Sequence, residues 1–180
     1  MGSHRARWIG ITVLIIAAGL IAVLATRPSA SVAEVQSPLV GHTAPAITGT
    51  TFDGATFSVP IHPGHFVVLN FFASWCAPCQ QEGPALVAFQ FEHQQTGDAS
   101  MVSVVFGDTV SAAQSYQSTL GVTWPTLTDG KGKLALAYGV SDRPTTFVIA
   151  PDGRVVAYIV GAVTVKGLDN VINAAKVTHA

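Results

Sequence analysis

The sequence predicts an α/β domain with a partly parallel sheet, set behind one apolar N-terminal segment. Three observations carry this reading. After about residue 40, strand-like apolar runs alternate with helix-like stretches, the pattern of a sheet wrapped by helices. One run, Phe66-Val67-Val68-Leu69-Asn70-Phe71-Phe72, is almost continuously apolar, as expected of a strand covered on both faces. Residues 8–25 carry no charged side chain.

Composition narrows the function classes. Only 11% of the 180 residues are charged and 49% are hydrophobic, against about 25% charged in an average soluble domain. So few charges exclude a nucleic-acid binder, which needs clustered Lys and Arg to neutralise phosphates. They also exclude a charge-rich disordered chain. The net charge of -1 is an average of unlike parts: residues 1–27 hold Arg5, Arg7 and Arg27 and no acid, while six basic and ten acidic residues follow.

Residues 1–7 therefore read as a basic cytoplasmic end and residues 8–25 as a transmembrane anchor. Eighteen residues at about 1.5 Å each reach roughly 27 Å, close to the hydrocarbon thickness of a bilayer. The positive-inside bias puts the N-terminus in the cytoplasm and the rest of the chain outside. Ser31-Val32-Ala33 offers the alternative of a signal peptide cleaved before Glu34, but an uncharged run this long exceeds the usual apolar core of a signal peptide. Either way the domain is exported. Residues 26–39, rich in Ser, Ala and Val between Pro28 and Pro38, read as a tether, and residues 40–178 as the folded domain.

Within that domain, Asp53-Gly54 lies between Phe52 and Phe57 and predicts a small β-hairpin. Phe66 to Phe72 is the first buried strand. A helix follows Cys79 to about Gln95, with Leu86, Phe89 and Val87 facing inward, a kink at Pro84 and a stop at Gly97. Met101 to Phe106 is a second buried strand. Val110 to Leu120 reads as a helix stopped by Gly121, and Lys133 to Tyr138 as a short one stopped by Gly139. Thr145 to Ala150 and Arg154 to Val160 flank Pro151-Asp152-Gly153 and should form an antiparallel hairpin. A closing helix runs from about Val165 to Val177.

The chemistry concentrates at Trp75-Cys76-Ala77-Pro78-Cys79, directly after a strand and at the opening of a helix. A helix N-terminus carries about half a positive charge and unpaired N–H groups, which stabilise a thiolate at the first cysteine. Two intervening residues bring the second sulfur within reach, and Pro78 suits a first helical turn, where its missing N–H costs nothing. A zinc site would need a second pair of ligands. No third cysteine exists, and His62-Pro63-Gly64-His65 is the only nearby histidine pair with ligand-like spacing. A structural disulfide closing so short a loop would stabilise little. Thiol chemistry is the better reading.

The stretch from Val67 through Asn70, Trp75-Cys76-Ala77-Pro78-Cys79 and Glu82 to Pro84 resembles the active-site segment of the TlpA/ResA/CcmG group of membrane-tethered thioredoxin-like proteins. The resemblance covers about residues 40–175. It implies a thioredoxin-like fold: a central mixed sheet flanked by helices, with an N-terminal β-hairpin. It also implies a thiol-disulfide oxidoreductase that needs no metal or cofactor beyond a redox-active Cys76–Cys79 disulfide. Asn70 stands where cytoplasmic thioredoxins have a buried Asp, and Glu82 matches an acid the group carries near its disulfide. Gly139-Val140 through Pro144-Thr145-Thr146-Phe147 resembles the segment whose cis-proline faces the cysteines. Trp75, Arg143, Pro144 and Thr145 would then line the groove for a partner protein. Arg143 departs from the group, which commonly has an apolar residue there.

The expected reaction is thiol-disulfide exchange in which the Cys76 thiolate attacks and Cys79 resolves the mixed disulfide. Glu82, placed in the helix's first turn, would move the proton of Cys79; the alternative is that it only complements the helix N-terminus. Implied partners are an exported protein disulfide such as apocytochrome c and a membrane thiol electron donor. Two other functions compete: a copper-handling protein binding Cu(I) through both thiolates, and an oxidant that introduces disulfides. A peroxidase is disfavoured because Ala73 stands where related peroxiredoxins carry Thr. His42, His62, His65, His93 and His179 are expected at the surface, and Trp124-Pro125 in the core near the site.

Overall fold

The computed structural model describes residues 8, 19, 37–60 and 63–178. The chain divides into two units, 1–31 and 32–180. In the first, Trp8 and Gly19 are each helical; the cytoplasmic end, the rest of the anchor and the tether as far as Gln36 lie outside the described residues, as do His62 and His179. Among the described residues no helix is long and apolar enough to cross a membrane.

Among the described residues, the second unit holds one seven-stranded sheet and four helices. The strands are β1 (Thr48–Thr51), β2 (Thr56–Ser58), β3 (Phe66–Phe72), β4 (Ala99–Val105), β5 (Thr126–Thr128), β6 (Thr145–Ile149) and β7 (Val155–Val160). The helices are α1 (Ala77–Thr96), α2 (Val110–Leu120), α3 (Lys133–Tyr138) and α4 (Val165–Thr178). Strand order is β2-β1-β5-β4-β3-β6-β7. Pairing is parallel between β3 and β4 and between β4 and β5, and antiparallel elsewhere. This is the mixed sheet expected.

Central β3 is buried at every residue, and the period of two divides its side chains between two cores. Val67, Leu69 and Phe71 pack with Tyr138 of α3, Phe147 and Leu127 on one face. Phe66 and Val68 pack with Leu86 and Phe89 of α1 and Leu168 and Ile172 of α4 on the other. Asn70 has the parity of Phe66 and Val68, so β3 delivers one amide into the apolar face beneath α1. Burying a large apolar side chain is worth about 1.5–3 kcal/mol, and this face has many; an amide there must find partners.

Several expectations need correction. β5 was not anticipated: three residues behind Trp124-Pro125 are too few to show a period, and they become a strand only by lying between β1 and β4. α1 starts at Ala77, with Cys76 as N-cap, so Cys79 lies inside the helix. As expected, the helix runs through Pro84, which forfeits one i→i−4 bond. His93 is not a plain surface residue. Its Nδ1 is 2.7 Å from Asp98 Oδ1 and its Nε2 is 3.0 Å from Asp169 Oδ1, with Phe89 stacked at 4.1 Å. His65 is half-buried and hydrogen-bonded to the Ser100 hydroxyl, whereas His42 is exposed.

Candidate active site

β3 ends at Phe72, and Ala73-Ser74-Trp75 turns the chain into α1. The Cys76 backbone is extended at the N-cap, and its sulfur accepts the Cys79 N–H at 3.3 Å. A sulfur thus occupies the place where Ser or Asp oxygens usually cap a helix. Cys76 and Cys79 are joined in a disulfide, with Cα atoms 5.2 Å apart. Both are buried, while Trp75 beside them is 60% exposed. The helix N-terminus stabilises negative charge on Cys76 when the bond is reduced.

The Arg143–Pro144 peptide is cis, and the Arg143 carbonyl oxygen lies 3.5 Å from Cys76 Sγ. This carbonyl, rather than the guanidinium, is what Arg143 presents to the sulfur. The guanidinium carbon lies 5.0 Å from the centroid of the Trp75 ring and 4.8 Å from that of Phe106. Nη1 donates to the Phe106 carbonyl at 2.9 Å. Nε is buried without a hydrogen-bond partner. Thr145 is buried, and its hydroxyl donates to the Asp142 carbonyl at 2.7 Å. It therefore holds the loop that carries Pro144 and does not offer its side chain to a partner.

Glu82 lies in the second turn of α1, not the first, and is only 1% exposed. A buried carboxyl is not a solvated charge at a helix end. Oε1 accepts from Asn70 Nδ2 at 2.8 Å and Oε2 from the Val163 N–H at 3.0 Å. Burial raises its pKa, those two hydrogen bonds oppose the rise, and the result is about 7. Glu82 and Cys79 both line a small cavity of about 20 Å³, enough for a water molecule. Trp124 borders the same cavity; it is buried and donates to the Ser103 hydroxyl at 2.8 Å, a core residue as expected.

Other residues at the site were not singled out in the sequence. Asp108 accepts the Ser74 N–H at 2.7 Å. Burial works against its charge, but hydrogen bonds from Ser74 and Thr109 and the Arg143 cation hold its pKa low. Trp75 Nε1 donates to the Gly107 carbonyl at 3.1 Å. Tyr116 of α2 donates to the Cys79 carbonyl at 3.0 Å. The signal that could have found Gly107 and Asp108 is topological: the loops leaving the C-terminal ends of adjacent parallel strands lie together. Among the described residues no group of three or more His, Cys, Asp or Glu could hold a metal ion.

The AhpC/TSA family profile matches residues 40–158. The thiol-disulfide oxidoreductase ResA of Bacillus subtilis is 34% identical over 113 residues, 63% of this chain and 63% of that protein. ResA of Geobacillus thermodenitrificans is 30% identical over 131 residues, 73% of this chain and 75% of that protein. A crystal structure of a thiol:disulfide interchange protein of the thioredoxin family from Chlorobium tepidum superposes with a TM-score of 0.65 at 28% identity. That match covers 78% of this chain and 98% of that one.

Proposed function

The chain belongs to the AhpC/TSA family, among its thioredoxin-like thiol-disulfide oxidoreductases, and from that premise we propose that it reduces disulfides of exported proteins, apocytochrome c being the expected substrate. The observation that carries this is the placement of Cys76. It caps α1, where a thiolate is favoured, with exposed Trp75 on one side and the Arg143–Pro144 backbone on the other. The uncharged run from Trp8 to Ala25, behind Arg5 and Arg7, supports a membrane anchor that keeps the domain extracytoplasmic and near a membrane thiol donor.

In the proposed cycle the Cys76 thiolate attacks one sulfur of the partner disulfide. An S–S bond forms between the proteins, the partner's other sulfur leaves as a thiolate and takes a proton from solvent. Cys79 then gives its proton to the Glu82 carboxylate and attacks Cys76. The second partner thiolate leaves, and the Cys76–Cys79 disulfide forms. The partner has gained two electrons and this protein has lost them; the membrane thiol donor restores the dithiol. A carboxyl with a pKa of about 7 is suited to both halves of that proton transfer near neutral pH.

The test is the reduction potential of the full chain, equilibrated against dithiothreitol and glutathione couples. A value near that of thioredoxin, about -270 mV, is expected. A value near that of DsbA, about -120 mV, would make the protein an oxidant. Tight binding of Cu(I) by the dithiol would favour copper handling instead.

A further inference from the structure

Disulfide exchange by itself does not require a cation held between two aromatic rings at the rim of the site. Arg143 stacks between Trp75 and Phe106 and also bonds the Phe106 carbonyl. The Trp75 indole in turn bonds the Gly107 carbonyl. Gly107 lies against both side chains. Its φ is +70°, which favours glycine, and a Cβ there would collide with Arg143 Nη1. Three segments that only the fold brings together, 74–76 after β3, 106–108 after β4 and 143–144 before β6, are thus tied to one side chain. We propose that Arg143 is a positioning residue that acts through Trp75: it fixes the exposed indole as one wall of the partner groove, so that a polypeptide disulfide meets a preformed apolar face beside Cys76.

The physics favours this over a direct action on sulfur. An indole that is 60% exposed would sample several rotamers if nothing held it, and a partner would have to order it on binding. A cation stacked on its face and a hydrogen bond at its edge remove that freedom in advance. One cation–π contact at an exposed site is worth about 0.5–1 kcal/mol. Meanwhile the guanidinium is committed to two rings, a carbonyl and the field of Asp108.

The inference rests on the proposed exchange with protein disulfides, so its first readout does not need that activity. The full chain, labelled with 5-fluorotryptophan, gives a fluorine resonance for Trp75 that Trp75→Phe assigns. Arg143→Met should shift that resonance in the oxidised protein, as should Gly107→Ala, which displaces Arg143 Nη1 and also disturbs the carbonyl that the indole bonds, and Arg143→Lys should not restore it. Both variants should raise KM for an unfolded protein disulfide by about 2–5-fold, the factor one cation–π contact represents, and change kcat less. A Trp75 resonance unmoved in Arg143→Met overturns the proposal. So does a KM that stays put while the reduction potential moves, because Arg143 would then act as a charge on the thiolate. Wild-type protein inert toward every disulfide would sink the functional reading alone, and the fluorine resonance would still decide whether Arg143 holds Trp75.

Discussion

Asn70 Nδ2 donates to Glu82 Oε1 at 2.8 Å and also reaches the Thr146 hydroxyl at 3.0 Å. The amide of β3 thereby ties α1 to β6 beneath the disulfide, with both of its N–H groups used. A carboxylate at position 70 could donate to neither neighbour. The strand thus supplies the donor that holds the acid carried by α1.

The first prediction concerns Glu82 and pH. Its folded pKa of about 7 lies above the ordinary value of 4.5, so the folded state keeps a proton that the unfolded chain has released. That contribution to stability is complete below about pH 4.5 and is lost as pH rises through about 7. A shift of this size corresponds to of order 3 kcal/mol. Urea denaturation of the oxidised protein should therefore show wild type losing about that much relative to Glu82→Gln between pH 4.5 and 7.5. A difference that stays flat across this range would refute a raised Glu82 pKa.

Asn70→Asp gives the second prediction. It places two carboxyls in hydrogen-bond contact in a buried site, and like charges so close cannot both ionise. One proton should be shared up to a higher pH than Glu82 alone holds it. The variant should lose about 1–3 kcal/mol at pH 8, the cost of an unsatisfied buried group, and less at pH 5. Equal losses at both pH values in thermal denaturation would mean that packing, and not charge, sets the cost.

The parts of this molecule legible in the sequence share a cause. Val110 to Leu120 and Lys133 to Tyr138 were bounded by their closing glycines, and both Gly121 and Gly139 adopt the left-handed conformation that ends a helix. Cys76 and Cys79 could be found because their spacing at a helix start is itself the signal, and Glu82 because the resemblance points to an acid there. The partners of Glu82 could not: Asn70 and Val163 are 12 and 81 residues away in sequence. Nor could Thr145 be read correctly, because the sequence gives its place next to Pro144 but not which way its hydroxyl turns.

A third prediction follows from Gly83. A Cβ there would lie 2.6 Å from Tyr116 Oη and 2.7 Å from Leu120 Cδ1. In an open helix Gly→Ala gains about 1 kcal/mol, but here the tyrosine is pinned to the Cys79 carbonyl and overpacking costs about 1–3 kcal/mol. Gly83→Ala should therefore be destabilising, and less so in a Tyr116→Phe background, where no hydroxyl stands in the way. An additive double-mutant cycle would remove Tyr116 as the obstacle.

The last prediction separates a second titration from that of Glu82. Both ring nitrogens of His93 face carboxylate oxygens, Asp98 Oδ1 and Asp169 Oδ1, so the doubly protonated ring, which donates from both nitrogens, is the form this geometry favours. Burial disfavours that charge, but the hydrogen bonds and charges of Asp169 and Asp98 outweigh it and raise the pKa. Lys176 offsets part of the acid charge by bonding Asp98 Oδ2 at 2.7 Å. The cation joins the C-terminal end of α1 to the first turns of α4. Because its folded pKa is raised, its stabilisation is fully present below the unfolded value of about 6.5 and is lost as pH climbs through the folded one. The carboxylates are about a third exposed, so screening limits the effect to about 1 kcal/mol or less. His93→Gln should cost about that below about pH 6.5 and progressively less as the pH rises above it. Nuclear magnetic resonance titration of the imidazole checks the assignment directly. A midpoint below that of a free histidine would show that the two carboxylates do not hold it.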